Sequence, residues 1–268
     1  MSRRDWPAIL DKSAAIVRSY DTGVTLRQLF YRLVADGTLP NTRSAYTMLS
    51  SYTAEARRTA GFPPLIDRTR SIHRRTTFED LADAREWLAD IYRLDRTIGQ
   101  PYSVYLGVEK AAIVEQLSAW FGDLGVGILA LGGYSSQTYV DEVARDVSYY
   151  KRPAVLLYAG DFDPSGMDID RDFGERTGCF AEVVRVALDA EQVATYNLPP
   201  QMGKRTDSRA AGFVAKHGAL VQVELDALPP DRLRQLYEDA LAPYWDPDAY
   251  ARVRHLEDAE RAELEAAL

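Results

Sequence analysis

The sequence predicts an α/β chain in which an N-terminal winged helix-turn-helix precedes a Rossmann-like parallel sheet. Three observations carry that expectation. A helix-patterned, arginine-rich stretch closes with Gly61 and the Pro63-Pro64 pair. From Tyr102 onward, short apolar runs alternate with helical stretches. The charge is also divided: residues 1–76 hold 13 Lys and Arg against 6 Asp and Glu, a net of +7, whereas the remainder nets -15. A basic head on an acidic body marks the head as the part that meets a polyanion. Twelve of its 13 cations are arginine, the residue suited to bidentate phosphate and base contacts. The bland alternative is a basic, solvated surface.

Within the head, Asp5–Tyr20 reads as a first helix, with Trp6, Ile9, Leu10, Ala14 and Val17 near helical spacing. Thr25 caps a second helix that runs to about Ala35 and stops at Gly37. Asn41 or Thr42 caps a third, from about Arg43 to Ala60. The segment Leu65–Arg75, rich in arginine and β-formers, is a hairpin or wing. Three short helices followed by a basic extended segment make a winged helix-turn-helix whose third helix is the recognition helix. Its DNA contacts would come from Arg43, Arg57 and Arg58, and from Arg68, Arg70, Arg74 and Arg75 on the wing.

Thr77–Arg96 follows as a connecting helix, giving an expected division into a head over 1–76, a connector over 77–100 and an α/β domain with a C-terminal helical extension over 101–268. Tyr102–Val108, Gly127–Leu131, Ala154–Ala159 and Val183–Ala187 are the strands, short and rich in β-branched and aromatic residues. Helices over Ala111–Phe121 and Ser136–Val147 separate the first three, the alternation that gives a parallel sheet. Residues 199–218 are polar and glycine-containing, expected as an irregular insertion, and Asp231–Leu268 is helical with a break between Pro243 and Pro247. No window of about 18 apolar residues occurs, no apolar run follows the basic N-terminus, and the single Cys179 has no disulfide partner. A cytoplasmic location without a membrane span is expected.

Acidic residues fall where such a sheet gathers ligands. Glu109 directly follows the first strand, and Asp161 and Asp163 follow the third, in Gly160-Asp-Phe-Asp-Pro-Ser-Gly166. Ligands of open parallel sheets collect at the carboxyl ends of strands. If these two strands are neighbours, roughly 5 Å apart, three carboxylates converge. Three hard oxygen ligands with room for water and phosphate describe a Mg2+ site. The alternative from spacing is that Asp161 caps the following turn and Glu109 caps the helix at Ala111.

The combination Val108-Glu-Lys110 with Gly160-Asp-Phe-Asp-Pro-Ser-Gly166 resembles the toprim signature of topoisomerases, primases and related nucleases. The Asp-x-Asp-Pro-x-Gly form is most similar to the A subunit of topoisomerase VI and the related meiotic double-strand-break proteins, and the short chain to their compact Mini-A forms. Gly132-Gly-Tyr-Ser-Ser136 and Val223-Glu-Leu-Asp-Ala-Leu-Pro-Pro230 also resemble stretches of that family. The resemblance implies Glu109, Asp161 and Asp163 as ligands of Mg2+. It further implies a nucleophile on the head in a motif like Arg-x-x-aromatic-Tyr, here Arg27-Gln-Leu-Phe-Tyr31, with Tyr31 attacking and Arg27 positioning the phosphate. Phe30 stands where the family has a second tyrosine. By the same resemblance the protein is a homodimer in which the tyrosine of one protomer works with the metal site of the other on double-stranded DNA, and strand passage requires a separate ATPase subunit.

Helical geometry adds an expectation about exposure. Leu26, Leu29, Phe30, Leu33 and Val34 form the apolar stripe, and Tyr31 falls roughly 130° from its centre, with Arg27 on the flank. Tyr31 is therefore expected at the surface beside Arg27, one turn away. Tyr46 and Tyr52, on the third helix, compete as tyrosines that stack on bases or contact phosphate. Two other functions stay open: a toprim metal nuclease in which water attacks, and a non-catalytic winged-helix DNA-binding protein.

Overall fold

The computed structural model describes residues 5–59, 61–66, 75–133, 135–200, 210–218 and 221–267. Its centre is a four-stranded, all-parallel sheet of β1 (Ser103–Val108), β2 (Gly127–Ala130), β3 (Ala154–Ala159) and β4 (Glu182–Ala187), in the order β2-β1-β3-β4. The two central strands, β1 and β3, are buried at every position, which is why they read as continuous apolar runs rather than as alternation. They pair in register from Ser103↔Ala154 to Val108↔Ala159, so both end at the same level.

Three helices precede the sheet: α1 (Trp6–Arg18), α2 (Leu26–Ala35) and α3 (Arg43–Thr59). Asp5 caps α1, and Thr25 with Gln28 forms a capping box on α2, each side chain satisfying a backbone N–H the helix leaves orphaned. Thr42 Oγ1 accepts from the Ala45 N–H at the start of α3, at 3.2 Å. The connecting helix is shorter than expected, α4 (Leu81–Ile91), because Asp80 caps it and the chain leaves helical geometry at Tyr92.

α5 (Ala111–Phe121), α6 (Gln137–Tyr149) and α7 (Gly166–Thr177) connect successive strands. They are followed by α8 (Ala190–Thr195), α9 (Ala210–His217), α10 (Pro230–Leu241) and α11 (Pro247–Ala267). α7 and α8 are absent from the sequence expectation, and α9 corrects the view of residues 199–218 as wholly irregular. One face of the sheet presents Leu106, Val108, Val155 and Leu157 to α5, α10 and the N-terminal helices, and these buried residues form one continuous cluster. The other presents Tyr105, Leu156 and Tyr158 to α6 and α7. The result is a three-layer, Rossmann-like α/β arrangement. Among the described residues no helix is long and apolar enough to cross a membrane.

Candidate active site at the carboxyl edge of the sheet

The adjacency of β1 and β3 brings Glu109 and Asp161 together. The Glu109 N–H still pairs with the Ala159 carbonyl at 3.0 Å, extending the ladder one residue past β1. Its side chain turns to the neighbouring strand, where Oε2 accepts from the Asp161 N–H at 2.8 Å. Burial, and then the charge of Asp161, push the Glu109 carboxyl up to about 7. Asp161 is 8% exposed, and its Oδ1 accepts from the Leu225 N–H at 2.7 Å. Neither residue caps a helix in the way spacing allowed: Lys110, not Glu109, is the N-cap of α5, and it makes no capping bond through its side chain.

Asp163 lies near enough for its charge to raise the Glu109 carboxyl, but one of its oxygens is engaged elsewhere. Its Oδ1 accepts from the Ser165 N–H at 2.9 Å, the Ser165 hydroxyl at 2.9 Å and the Gly166 N–H at 2.6 Å, three bonds that tie it to the first turn of α7. Glu109 and Asp161 are in direct contact, whereas Asp163 Oδ1 is drawn to the unsatisfied N–H groups of the helix that starts at Gly166. Among the described residues no group of three or more His, Cys, Asp and Glu is arranged to hold a metal ion.

The loop is fixed by packing and by Arg185 on β4, which sequence reasoning did not single out. The Arg185 guanidinium donates to the carbonyls of Asp161 at 2.8 Å, Gly166 at 3.0 Å and Leu188 at 2.9 Å. Phe162, between the two aspartates, exchanges backbone hydrogen bonds with Val223 and packs its ring against Phe213 at 5.0 Å. Gly166 has to be glycine here, since a Cβ would run into the Asp161 carbonyl oxygen. Below the pair, the hydroxyl of the fully buried Tyr158 has no hydrogen-bond partner among the described residues.

A second acidic group lies beside the first and was also not chosen from sequence, although its residues sit in stretches that carry the family resemblance. Lys110 Nζ stands 2.8 Å from Asp226 Oδ2, 3.1 Å from Asp161 Oδ1 and 3.6 Å from Glu224 Oε2. Burial alone would loosen its proton, but Asp226, Asp161 and Glu224 outweigh that and raise its pKa, so the ammonium stays charged. The same segment meets α2: Glu224 pairs with Arg27, Asp226 Oδ1 accepts from the Thr25 hydroxyl at 3.1 Å, and the Ala227 carbonyl accepts from Arg32.

This contact corrects the expectation for Tyr31. The residue is 5% exposed rather than at the surface, because the turn Leu225–Ala227 covers the face of α2 opposite its apolar stripe. Burial, reinforced by Glu224 and only partly opposed by Arg27 and Lys110, raises the phenol well above its ordinary range. Arg27 lies on the flank as expected, with 44% of its side chain exposed.

Of the candidate DNA contacts, Arg43, Arg57 and Arg58 are exposed on α3, whose buried positions are Ala45, Leu49 and Thr53, and Arg75 is also exposed. Arg58 pairs with Glu55 at 2.5 Å, both side chains largely in solvent. Arg68, Arg70 and Arg74 lie outside the described residues. No protein-family model matches the chain, and no curated protein matches it, so a functional assignment rests on the site itself.

Proposed function

We propose that this chain cleaves DNA phosphodiesters in a Mg2+-dependent reaction at the carboxyl edge of the sheet, as a compact topoisomerase VI A-like protein with a winged-helix head and a toprim domain. The observation that carries the reading is the Glu109–Asp161 pair, two carboxylates on adjacent parallel strands, with Glu109 pushed up to about 7. Lys110 offsets part of the charge on Asp161, but one ammonium is shared among Asp161, Asp226 and Glu224, so the cluster stays net acidic. Mg2+ suits it, because this ion keeps several waters and is bound through one or two carboxylates plus substrate phosphate. The buried Tyr158 hydroxyl, with no partner among the described residues, adds a polar group able to hold a water of such a site. Asp163 would join as the third ligand through the oxygen that the first turn of α7 does not hold.

When bound, the ion would stabilise the charge that develops on the transferring phosphoryl group. The protein's own part is to hold the carboxylates through Arg185, Phe162 and the Leu225 N–H, and to place DNA through Arg43, Arg57, Arg58 and Arg75. In the tyrosine route, Tyr31 Oη bonds to phosphorus, the P–O3′ bond breaks, and the phenolic proton is lost as the 3′ oxygen gains one. A 5′-phosphotyrosine and a free 3′-OH result, and by the family resemblance the attack occurs between protomers of a homodimer. Strand passage would further need a separate ATPase subunit. This route requires α2 to part from the Leu225–Ala227 turn.

A second reading, hydrolysis by water in a toprim nuclease, is favoured by the burial of Tyr31 and its raised phenol. A covalent-capture assay separates the two. The protein is incubated with labelled supercoiled DNA and Mg2+, denatured with detergent, and assayed for label travelling with protein. Label on the wild type and none on Tyr31→Phe establishes the tyrosine route, whereas free cleaved ends from both proteins establish hydrolysis.

A further inference from the structure

A cleft of about 410 Å³ opens between α2, α3 and the start of α5, and neither Glu109, Asp161 nor Asp163 lines it. Its volume falls in the range of small-molecule sites. Two arginines line it, Arg27 and Arg57. Arg27 already shares its charge with Glu224 and lies over the Tyr46 ring at 5.7 Å. Arg57 is different: its Nε donates to the Thr53 carbonyl at 3.3 Å, and no carboxylate among the described residues pairs with it. Ala111 and Ala112 bring the first turn of α5 to the same cleft, and the N-cap residue Lys110 makes no capping bond to it through its side chain. An arginine with no carboxylate partner among the described residues, in one cleft with the start of a helix, attracts an anion with the charge of a phosphate.

The rest of the wall is apolar. Leu26, Leu65 and Ile66 line it with Tyr46. A bare phosphate would fill little of this space and leave that surface wet. We infer that the cleft binds a nucleotide monophosphate, its phosphate at Arg57 and Arg27 over the start of α5 and its base against the apolar wall. The ligand is either a free nucleotide or the 5′-phosphorylated end of a DNA strand, which share this chemistry. The inference stands apart from the metal reading, since nucleotide binding here uses none of its carboxylates.

The test is a calorimetric titration of the intact chain with dTMP, thymidine, inorganic phosphate, and one oligonucleotide with and without a 5′-phosphate. Saturable dTMP binding is expected, with thymidine and phosphate each weaker by roughly tenfold or more. Arg57→Gln, at an exposed position, should weaken dTMP by a similar factor, and Ser50→Trp should block it by filling the cleft. Asp161→Asn should leave it unchanged, which separates failure of this inference from failure of the metal reading. Competition by the phosphorylated oligonucleotide but not the plain one identifies a strand end as the ligand, and no competition by either identifies the free nucleotide. Absence of saturable dTMP binding, or unchanged affinity in Arg57→Gln, overturns the inference. Circular dichroism confirms that each variant is folded, and the exposed Arg57 position keeps the test decisive if Ser50→Trp is not.

Discussion

Arg27 on α2 and Glu224 ahead of the Leu225–Ala227 turn form an ion pair that clips the N-terminal helices onto the carboxyl edge of the sheet. Glu224 is 5% exposed and Arg27 44%, so the carboxylate is the member that depends on its partner. The pair also sets the electrostatic surroundings of Tyr31, whose phenol Glu224 raises and Arg27 lowers.

Glu224→Gln is therefore expected to lower stability by about 1–2 kcal/mol, a value reduced from that of a buried pair because Arg27 is partly solvated. It should also bring the Tyr31 phenol down toward its ordinary range. Urea denaturation reads the first effect, and NMR titration of labelled tyrosine reads the second. An unchanged phenol would place Tyr31 outside the field of Glu224.

Glu109 gives a pH dependence of definite sign. Its carboxyl is protonated in the native state up to about 7 and in the unfolded chain only up to about 4.5. Between those values the native state binds more protons, so its contribution to stability falls as pH rises. Glu109→Gln should remove that fall and stabilise the metal-free protein at pH 8 by on the order of 1–3 kcal/mol. Thermal melts across pH 4–9 check it, and a variant less stable than wild type at pH 8 contradicts it.

Gly166→Ala places a Cβ against the Asp161 carbonyl. The loop must shift, at a cost of roughly 1–3 kcal/mol, and the Glu109–Asp161 bond is the contact most directly strained. The expected outcome is weaker Mg2+ binding together with a lower Tm. Full Mg2+ affinity in a folded Gly166→Ala protein would show that the loop is not held by this contact.

Away from the site, Glu257 on α11 is fully buried against Arg96, with contacts at 3.0 and 2.6 Å. The bond to Arg96 holds the Glu257 carboxyl down at about 2, so its stabilisation is complete above 4.5 and lost as pH falls toward 2. Glu257→Gln leaves Arg96 without its buried partner and should cost about 3–5 kcal/mol near neutral pH, an effect that shrinks in acid. Denaturation at pH 7 and pH 3 measures the difference.

The parts legible in the sequence were those encoded locally. β1 and β3 announce themselves because central parallel strands are apolar throughout, and Glu109 and Asp161 follow them directly. The N-terminal helices are legible from Thr25 and Gly37, which act within a turn of their own positions. α7 is hidden because only Gly166, Ile169 and Phe173 are buried among its many acidic residues, too sparse a stripe to show helical period. Burial of Tyr31 was not legible either. A hydrophobic stripe identifies one buried face, whereas the opposite face of α2 is covered by a turn almost 200 residues later, as the Arg32–Ala227 bond shows. Lys110 meets Asp226 across 116 residues, a distance over which spacing carries no information. The bonds from Asp163 Oδ1 to the first turn of α7 were not legible either, because Asp-x-Asp alternation assumes extended backbone.

The most direct test of the metal reading pairs Mg2+ titration with cleavage of supercoiled DNA in wild type and Asp161→Asn. The reading predicts that the wild type binds Mg2+ and nicks or cuts DNA only in its presence, and that Asp161→Asn, though folded, loses both. Cleavage that persists in Asp161→Asn or without a divalent ion would contradict it, as would a wild type that binds no Mg2+ in the presence of DNA.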